Sequence, residues 1–238
     1  MKAARATSAP ASLPAPAVRL AILGLPLTAL ALCLGWGVAP AGLPITLVIL
    51  YVGLALAIRG MALHYPHDRL GACNIVTATR LAMASGLAAS LAGTATANWA
   101  VFALALSILL LDGVDGWLAR RQRLSSELGA RFDMEVDSAL AAILALSLLA
   151  QGRAGPELIV LGGARYAFVA AASVMPWLSA PLYHSLRRKA VCVLQIGVLA
   201  ALAAPMLPEA AARPLAWGAA VAVTWSFWRD IRWLGERR

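Results

Sequence analysis

Six of the chain's eleven acidic residues lie between positions 112 and 137: Asp112, Asp115, Glu127, Asp133, Glu135 and Asp137. The four aspartates stand in otherwise apolar stretches. A carboxylate at bilayer depth costs about 2.5–3.5 kcal/mol on insertion scales, so four together require compensation. At about 100° per residue, Asp112, Asp115, Gly116 and Ala119 share about 100° of one helical face, and Gly129, Asp133 and Asp137 share about 80° of the next. The short basic segment 120–130 between them makes the two helices antiparallel neighbours. At 1.5 Å per residue, Asp112 lies about 12 Å inward from Arg120, and Asp137 about 9 Å inward from Arg131. The two carboxylate stripes are therefore expected to face each other. Carboxylates at such range do not all ionise without counter-charge. Arg120, Arg121, Arg123 and Arg131 can snorkel to the interface, and no arginine is expected at the depth of Asp112 and Asp137. Hard divalent cations, Mg²⁺ or Mn²⁺, suit an all-oxygen donor set. Two such metals on facing carboxylates suit phosphoryl chemistry.

The elements that hold these residues follow from composition. The chain has 238 residues, 61% hydrophobic and only 13% charged, with a mean hydropathy of +0.78. A soluble globule carries about 25% charged residues, so a water-facing globule is excluded. Long Ala- and Leu-rich blocks exclude an outer-membrane barrel, whose strands alternate over about ten residues. The expected fold is all-α and polytopic. Apolar blocks fall at 19–38, 43–58, 74–91, 99–120, 131–150, 157–177, 190–207 and 214–228. Most approach the roughly 20 residues that span a bilayer. The expected organisation is a disordered tail over 1–17, a transmembrane hairpin over 18–59, a juxtamembrane segment over 60–73, a six-helix catalytic core over 74–230 and a basic tail over 231–238. The first block has the look of a cleaved leader, but a second block follows at once, which favours a retained helix.

The formal net charge of +9 orients the chain. With the N-terminus in the cytoplasm, the inner loops collect sixteen Lys and Arg, and the outer loops only Arg153 and Arg213. Such asymmetry obeys the positive-inside rule, and no soluble basic domain is present to bind nucleic acid. The carboxylate end then faces the cytoplasm. Trp177, Trp225, Trp228 and Trp233 fall near inner ends, and Trp36, Trp99 and Trp217 near outer ends, as interfacial belts do. Cys33, Cys73 and Cys192 form no spaced pair and read as small buried hydrophobes.

The run Asp112-Gly-Val-Asp115-Gly116-Trp-Leu-Ala119-Arg120, followed by Gly129, Asp133 and Asp137, resembles the CDP-alcohol phosphotransferase signature D-x2-D-G-x2-A-R-x8-G-x3-D-x3-D, with all eight specified positions present. The resemblance implies a six-helix core carrying the signature on its second and third helices. It implies attack of an alcohol hydroxyl on the β-phosphorus of a CDP-linked alcohol, often CDP-diacylglycerol, with CMP leaving. By position, Asp112, Asp115 and Asp133 would bind two Mg²⁺ or Mn²⁺ ions. Asp137 would touch a metal and act as general base. Gly116 and Ala119 would admit the cytidine moiety, with Arg120 and Gly129 in the same substrate-binding set. The family also suggests a homodimer and an amphipathic interfacial helix before the core, although Pro66 makes residues 60–73 a poor example of one.

Further residues join the site less directly. Asn74, Thr77 and Arg80 lie at i, i+3 and i+6, where the family often shows Asn, Thr and Arg. This suggests a substrate-facing role, against a plain helix cap at Asn74. Arg165, inside a span, suits a phosphate clamp. Arg187, Arg188 and Lys189 open the fifth core helix, either as ordinary inner-side charge or beside a phosphorylated acceptor. Glu135 points away from the stripe and is expected to pair with Arg131 at i, i+4. His64 and His67 flank Pro66 and are not expected to hold a metal, and His184 has no assigned role. The reading is a membrane phosphotransferase of phospholipid synthesis. Its donor is CDP-diacylglycerol or another CDP-alcohol, and its acceptor glycerol 3-phosphate, an inositol phosphate or another alcohol. A divalent-metal transporter needs a polar path continuing outward, but residues 99–111 and 138–150 offer only Ser107, Ser138 and Ser147. An inactive assembly subunit sits poorly with an intact signature.

Overall fold

The computed structural model describes residues 13–93, 98–183 and 185–237. Among these, eight α-helices and no strands are found: α1 (Ala15–Val38), α2 (Leu43–His64), α3 (Ala72–Leu87), α4 (Trp99–Gln122), α5 (Glu127–Ala150), α6 (Glu157–Val174), α7 (Leu186–Ala203) and α8 (Glu209–Gly235). Five of them, α1, α2, α3, α4 and α6, are long and apolar enough to cross a membrane. The others carry charges that their apolar blocks tolerate: the signature acids on α5, the basic triplet on α7, and the arginines of α8. Ile22, Leu25, Leu56, Leu110 and Val174 are all more than 60% exposed. So large an outward apolar surface belongs in lipid. The chain is an all-helical, polytopic membrane protein.

Helix ends follow local chemistry. Pro14 and Pro16 start α1, because a first-turn proline lacks only an N–H that has no helical partner. α1 therefore begins at Ala15, inside the segment expected to be a disordered tail; Met1 to Ser12 lie outside the described residues. α6 stops at Val174, short of the expected 177, because Pro176 forces Met175 out of helical geometry. α8 runs through Pro214 from Glu209; Ala212 and Ala216 on either side are fully buried and packing holds the helix there. Between α2 and α3, residues 65–71 are not helical, so the interfacial helix that the resemblance suggests is not formed.

α3 is the hub. Most of its residues are buried, and it packs against α1, α2, α4 and α5. One apolar core joins α3 to α4, α5, α6, α7 and α8. A second, built from Leu20, Leu27, Ala31, Leu50, Leu54 and Ala57, seats the hairpin on Ala78, Leu81 and Ala82 of α3. The contact is close: a Cβ on Gly86 would stand 2.8 Å from Leu34 Cβ, and one on Gly53 2.7 Å from Leu81.

Candidate active site

The turn between α4 and α5 sets the two aspartate stripes against each other. Arg123 ends α4 in the left-handed conformation at φ 55°. Ser126 then caps α5, its Oγ accepting from Gly129 N at 3.0 Å. This is the side-chain capping that an orphan first-turn N–H requires. Asp112 and Asp115 on α4 thus meet Asp133 and Asp137 on α5, with α3 as the third wall. Carboxylate oxygens of Asp112, Asp133 and Asp137 all lie within 4.8 Å of one another.

At the centre of the quartet stands Arg80, with a side chain fully excluded from solvent. Its Nη1 donates to Asp115 Oδ2 at 2.6 Å and also to Asp133. Its Nη2 pairs with Asp112 Oδ1 at 3.1 Å and donates to Asp137. The expectation that no arginine reaches the depth of Asp112 and Asp137 is therefore wrong. Arg80 was visible on α3, but only packing of α3 against both α4 and α5 reveals where it reaches. Thr77 joins the network through its Oγ1, which donates to Asp115 Oδ2 at 3.1 Å.

One guanidinium against four carboxylates leaves three formal negative charges in a largely buried cluster. That surplus, on hard oxygen donors drawn from facing helices, fits divalent cations. Asp112, Asp133 and Asp137 form the group spaced to share an ion, and Asp115 is held by Thr77 as well as by Arg80.

Beside the quartet lies a cavity of about 200 Å³, walled by α3, α4, α5 and the α4–α5 turn. Asn74, Thr77, Gly116, Ala119, Arg120 and Gly129 all line it, as do Asp115 and Asp133. Cys73, read from the sequence only as a small buried hydrophobe, lines it too, as do Ser125 and Ser126, which were not singled out from the sequence. A Cβ on Gly116 would meet only Arg120 Nη1, at 3.5 Å, so Gly116 leaves the cavity open. Asn74 is not the helix cap; Gly71 holds that position and Asn74 sits in the first turn.

Three residues expected near substrate, Arg165, Arg187 and Lys189, are not among those that line the cavity. Arg165 on α6 pairs with Glu135 of α5, and its Nη1 is 2.8 Å from Met134 Sδ. Glu135 therefore does not pair with Arg131, which instead binds Glu127 one turn earlier at 2.6 Å. Tertiary approach of α6 to α5 overrode the i, i+4 option. Arg187 reaches α8, donating to Ser226 Oγ at 2.7 Å and to Asp230 Oδ1 at 2.5 Å. It also lowers the pKa of the Tyr183 phenol in the preceding loop by hydrogen bonding. Lys189 is exposed, one turn before Cys192, whose Sγ lies 3.9 Å from Asp137 Oδ2. His67 Nε2 contacts Ser125 O at 3.4 Å. His184 lies outside the described residues.

The family model of CDP-alcohol phosphatidyltransferase matches residues 70–227, which include α4, α5 and the whole quartet. The chain belongs to the CDP-alcohol phosphatidyltransferase family. Members transfer a phosphatidyl group from a CDP-alcohol to an acceptor, typically with divalent metals. No curated protein and no solved structure matched the chain. The matched segment starts just before α3, so the hairpin α1–α2 lies outside it.

Proposed function

We propose that this protein transfers the phosphatidyl group of CDP-diacylglycerol to the hydroxyl of a small alcohol, releasing CMP, at the cytoplasmic side of the membrane. The observation that carries this reading is the convergence of the four signature carboxylates beside a cavity kept open by Gly116, Ala119 and Gly129. Asp112, Asp115, Asp133 and Asp137 would hold two Mg²⁺ or Mn²⁺ ions. Bound there, the metals supply positive charge opposing that of the diphosphate as the leaving group departs.

The chain's own residues do the rest. The cavity seats the cytidine half of the donor, where Gly116 and Ala119 let it approach the backbone of α4. Asp137, at the far end of the cluster from the α4–α5 turn, takes the proton of the acceptor hydroxyl. The oxygen then bonds to the β-phosphorus. The bond from that phosphorus to the bridging oxygen breaks, and CMP keeps the electron pair. Arg80 holds the carboxylates together in fixed register while charge is redistributed among them. The donor's acyl chains lie in the bilayer, which the apolar outer faces of the helices contact.

For the acceptor, Arg165 is paired with Glu135, but among the described residues Arg187, Arg188 and Lys189 face only Asp230 and leave net positive charge at the start of α7, which favours a phosphorylated alcohol such as glycerol 3-phosphate. An inositol phosphate satisfies the same chemistry. The test is CMP release by purified protein with CDP-diacylglycerol, Mg²⁺ or Mn²⁺, and one acceptor per reaction. Metal-dependent release with a single acceptor, lost in Asp137→Asn, is the expected outcome. No release with any acceptor, from CDP-diacylglycerol or from CDP-choline and CDP-ethanolamine, would remove the reading.

A further inference from the structure

The joint between the hairpin and the core reaches the cavity. Tyr65 follows the last residue of α2, five positions before the family match begins. Asn74 Nδ2 donates to the Tyr65 hydroxyl at 2.7 Å, and that hydroxyl donates onward to Arg69 O at 3.4 Å. Burial raises the pKa of the Tyr65 phenol, which keeps the proton needed for the second bond. With its nitrogen committed to Tyr65, the Asn74 amide turns its Oδ1 toward Gly129, where a Cβ would stand 3.7 Å away. Asn74 is 4% exposed and lines the cavity. Its carbonyl oxygen is thus an acceptor presented to whatever fills that space. The joint is anchored again on the opposite wall. His67 stacks edge-on against Tyr65 at 5.3 Å and contacts Ser125 O, and Ser125 also lines the cavity. Ala72 N, at the start of α3, donates to Gln122 Oε1 at the end of α4, at 3.0 Å.

We infer that Tyr65 is a positioning residue for the donor substrate, orienting Asn74 so that its Oδ1 accepts a hydrogen bond from an amino or hydroxyl group of the nucleoside. The hairpin thereby becomes part of the substrate site instead of a lipid-facing appendage. This inference rests on the reading of the cavity as the nucleotide seat.

The test uses the full-length protein in detergent, with CMP and Mg²⁺ as the probe, by titration calorimetry. Tyr65→Phe keeps the ring and its packing on His67 and removes only the hydroxyl. Its affinity for CMP is expected to fall about five- to tenfold, the scale of one hydrogen bond. Its KM for the CDP-alcohol should rise by a similar factor while kcat stays close to that of the unaltered protein. Because Tyr65 acts through Asn74, the double variant Tyr65→Phe/Asn74→Ala should bind CMP no more weakly than Asn74→Ala alone. CMP affinity indifferent to Tyr65→Phe, or losses that multiply in the double variant, would overturn the inference. A lowered melting temperature with unchanged CMP affinity would do the same, by showing a purely structural tie. If the unaltered protein does not bind CMP, the nucleotide reading itself falls and takes this inference with it.

Discussion

Arg80 illustrates how one side chain decides the character of a site. A lysine at that position would carry the same charge, but its single ammonium group could not bridge two pairs of carboxylates. The planar guanidinium addresses Asp115 and Asp133 with one nitrogen and Asp112 and Asp137 with the other. Removing it would leave four largely buried carboxylates without their shared cation, with Asp115 held by Thr77. Losing one member of a buried ionic network costs about 3–5 kcal/mol. Arg80→Met is therefore expected to lower the melting temperature of the metal-free protein markedly, and Mg²⁺ to recover a larger share of stability in the variant than in the unaltered chain. Equal melting temperatures without metal would show that Arg80 does not neutralise the cluster. At the same scale, Asp137→Asn keeps the shape of its side chain but removes the base, so CMP release should vanish while the fold persists.

At the level of elements, two glycines separate function from folding. Gly116 faces open space, and a larger side chain there projects into the cavity without striking the backbone. Gly116→Val is expected to abolish CMP binding while changing the melting temperature little. Gly42, in the short turn between α1 and α2, is the opposite case. A Cβ there would stand 2.2 Å from Ala89 O and 2.4 Å from Ala89 Cα, both backbone atoms. Gly42→Ala must push the hairpin away from the end of α3, at a cost of about 1–3 kcal/mol as in other overpacked cores. Thermal unfolding would register it, and CMP affinity at the far end of α3 would change less. A melting temperature that survives Gly42→Ala, or one that collapses with Gly116→Val, would contradict this division.

For the whole molecule, the distribution of charge matters more than its total. The end of the bundle bearing the quartet also gathers Arg69, Arg120, Arg121, Arg123, Arg131, Arg187, Arg188, Lys189, Arg229, Arg232 and Arg237, while the other end has Arg153 and Arg213. Arg153 donates to the carbonyl oxygen of Leu202 in the last turn of α7 and to those of Ala204 and Leu207 in the loop that follows. Near the end of α8, Arg229 and Arg232 stack on Trp225 and Trp228, and Arg237 on Trp233, pairing cation with aromatic ring where water meets lipid. The positive-inside rule then expects the quartet in the cytoplasm. Fluorescent-protein fusions should be bright at the C-terminus, and alkaline phosphatase inserted between Gln151 and Gly155 should be active only outside. The reverse pattern would move the active site to the other face.

Much of this was determined by residue type and spacing alone. Low charge and long apolar blocks require membrane helices, since only a helix satisfies its own backbone there. The period of the helix places Asp112 with Asp115, and Asp133 with Asp137, on single faces, and the short segment between them makes the two faces neighbours. Gly116, Ala119 and Gly129 fall on those faces for the same geometric reason. What spacing does not contain is the third wall. Nothing local says that α3 lies between the hairpin and both aspartate helices, so Arg80 is seen at the centre of the quartet only in the folded chain. Nor does local pattern decide among several partners in reach: Glu135 meets Arg165 on α6 and leaves Arg131 to Glu127, and Arg187 turns to Asp230 on α8. Those choices belong to helix packing, because the energy of an ion pair depends on which charges the fold brings within a few ångströms and how far it removes them from water.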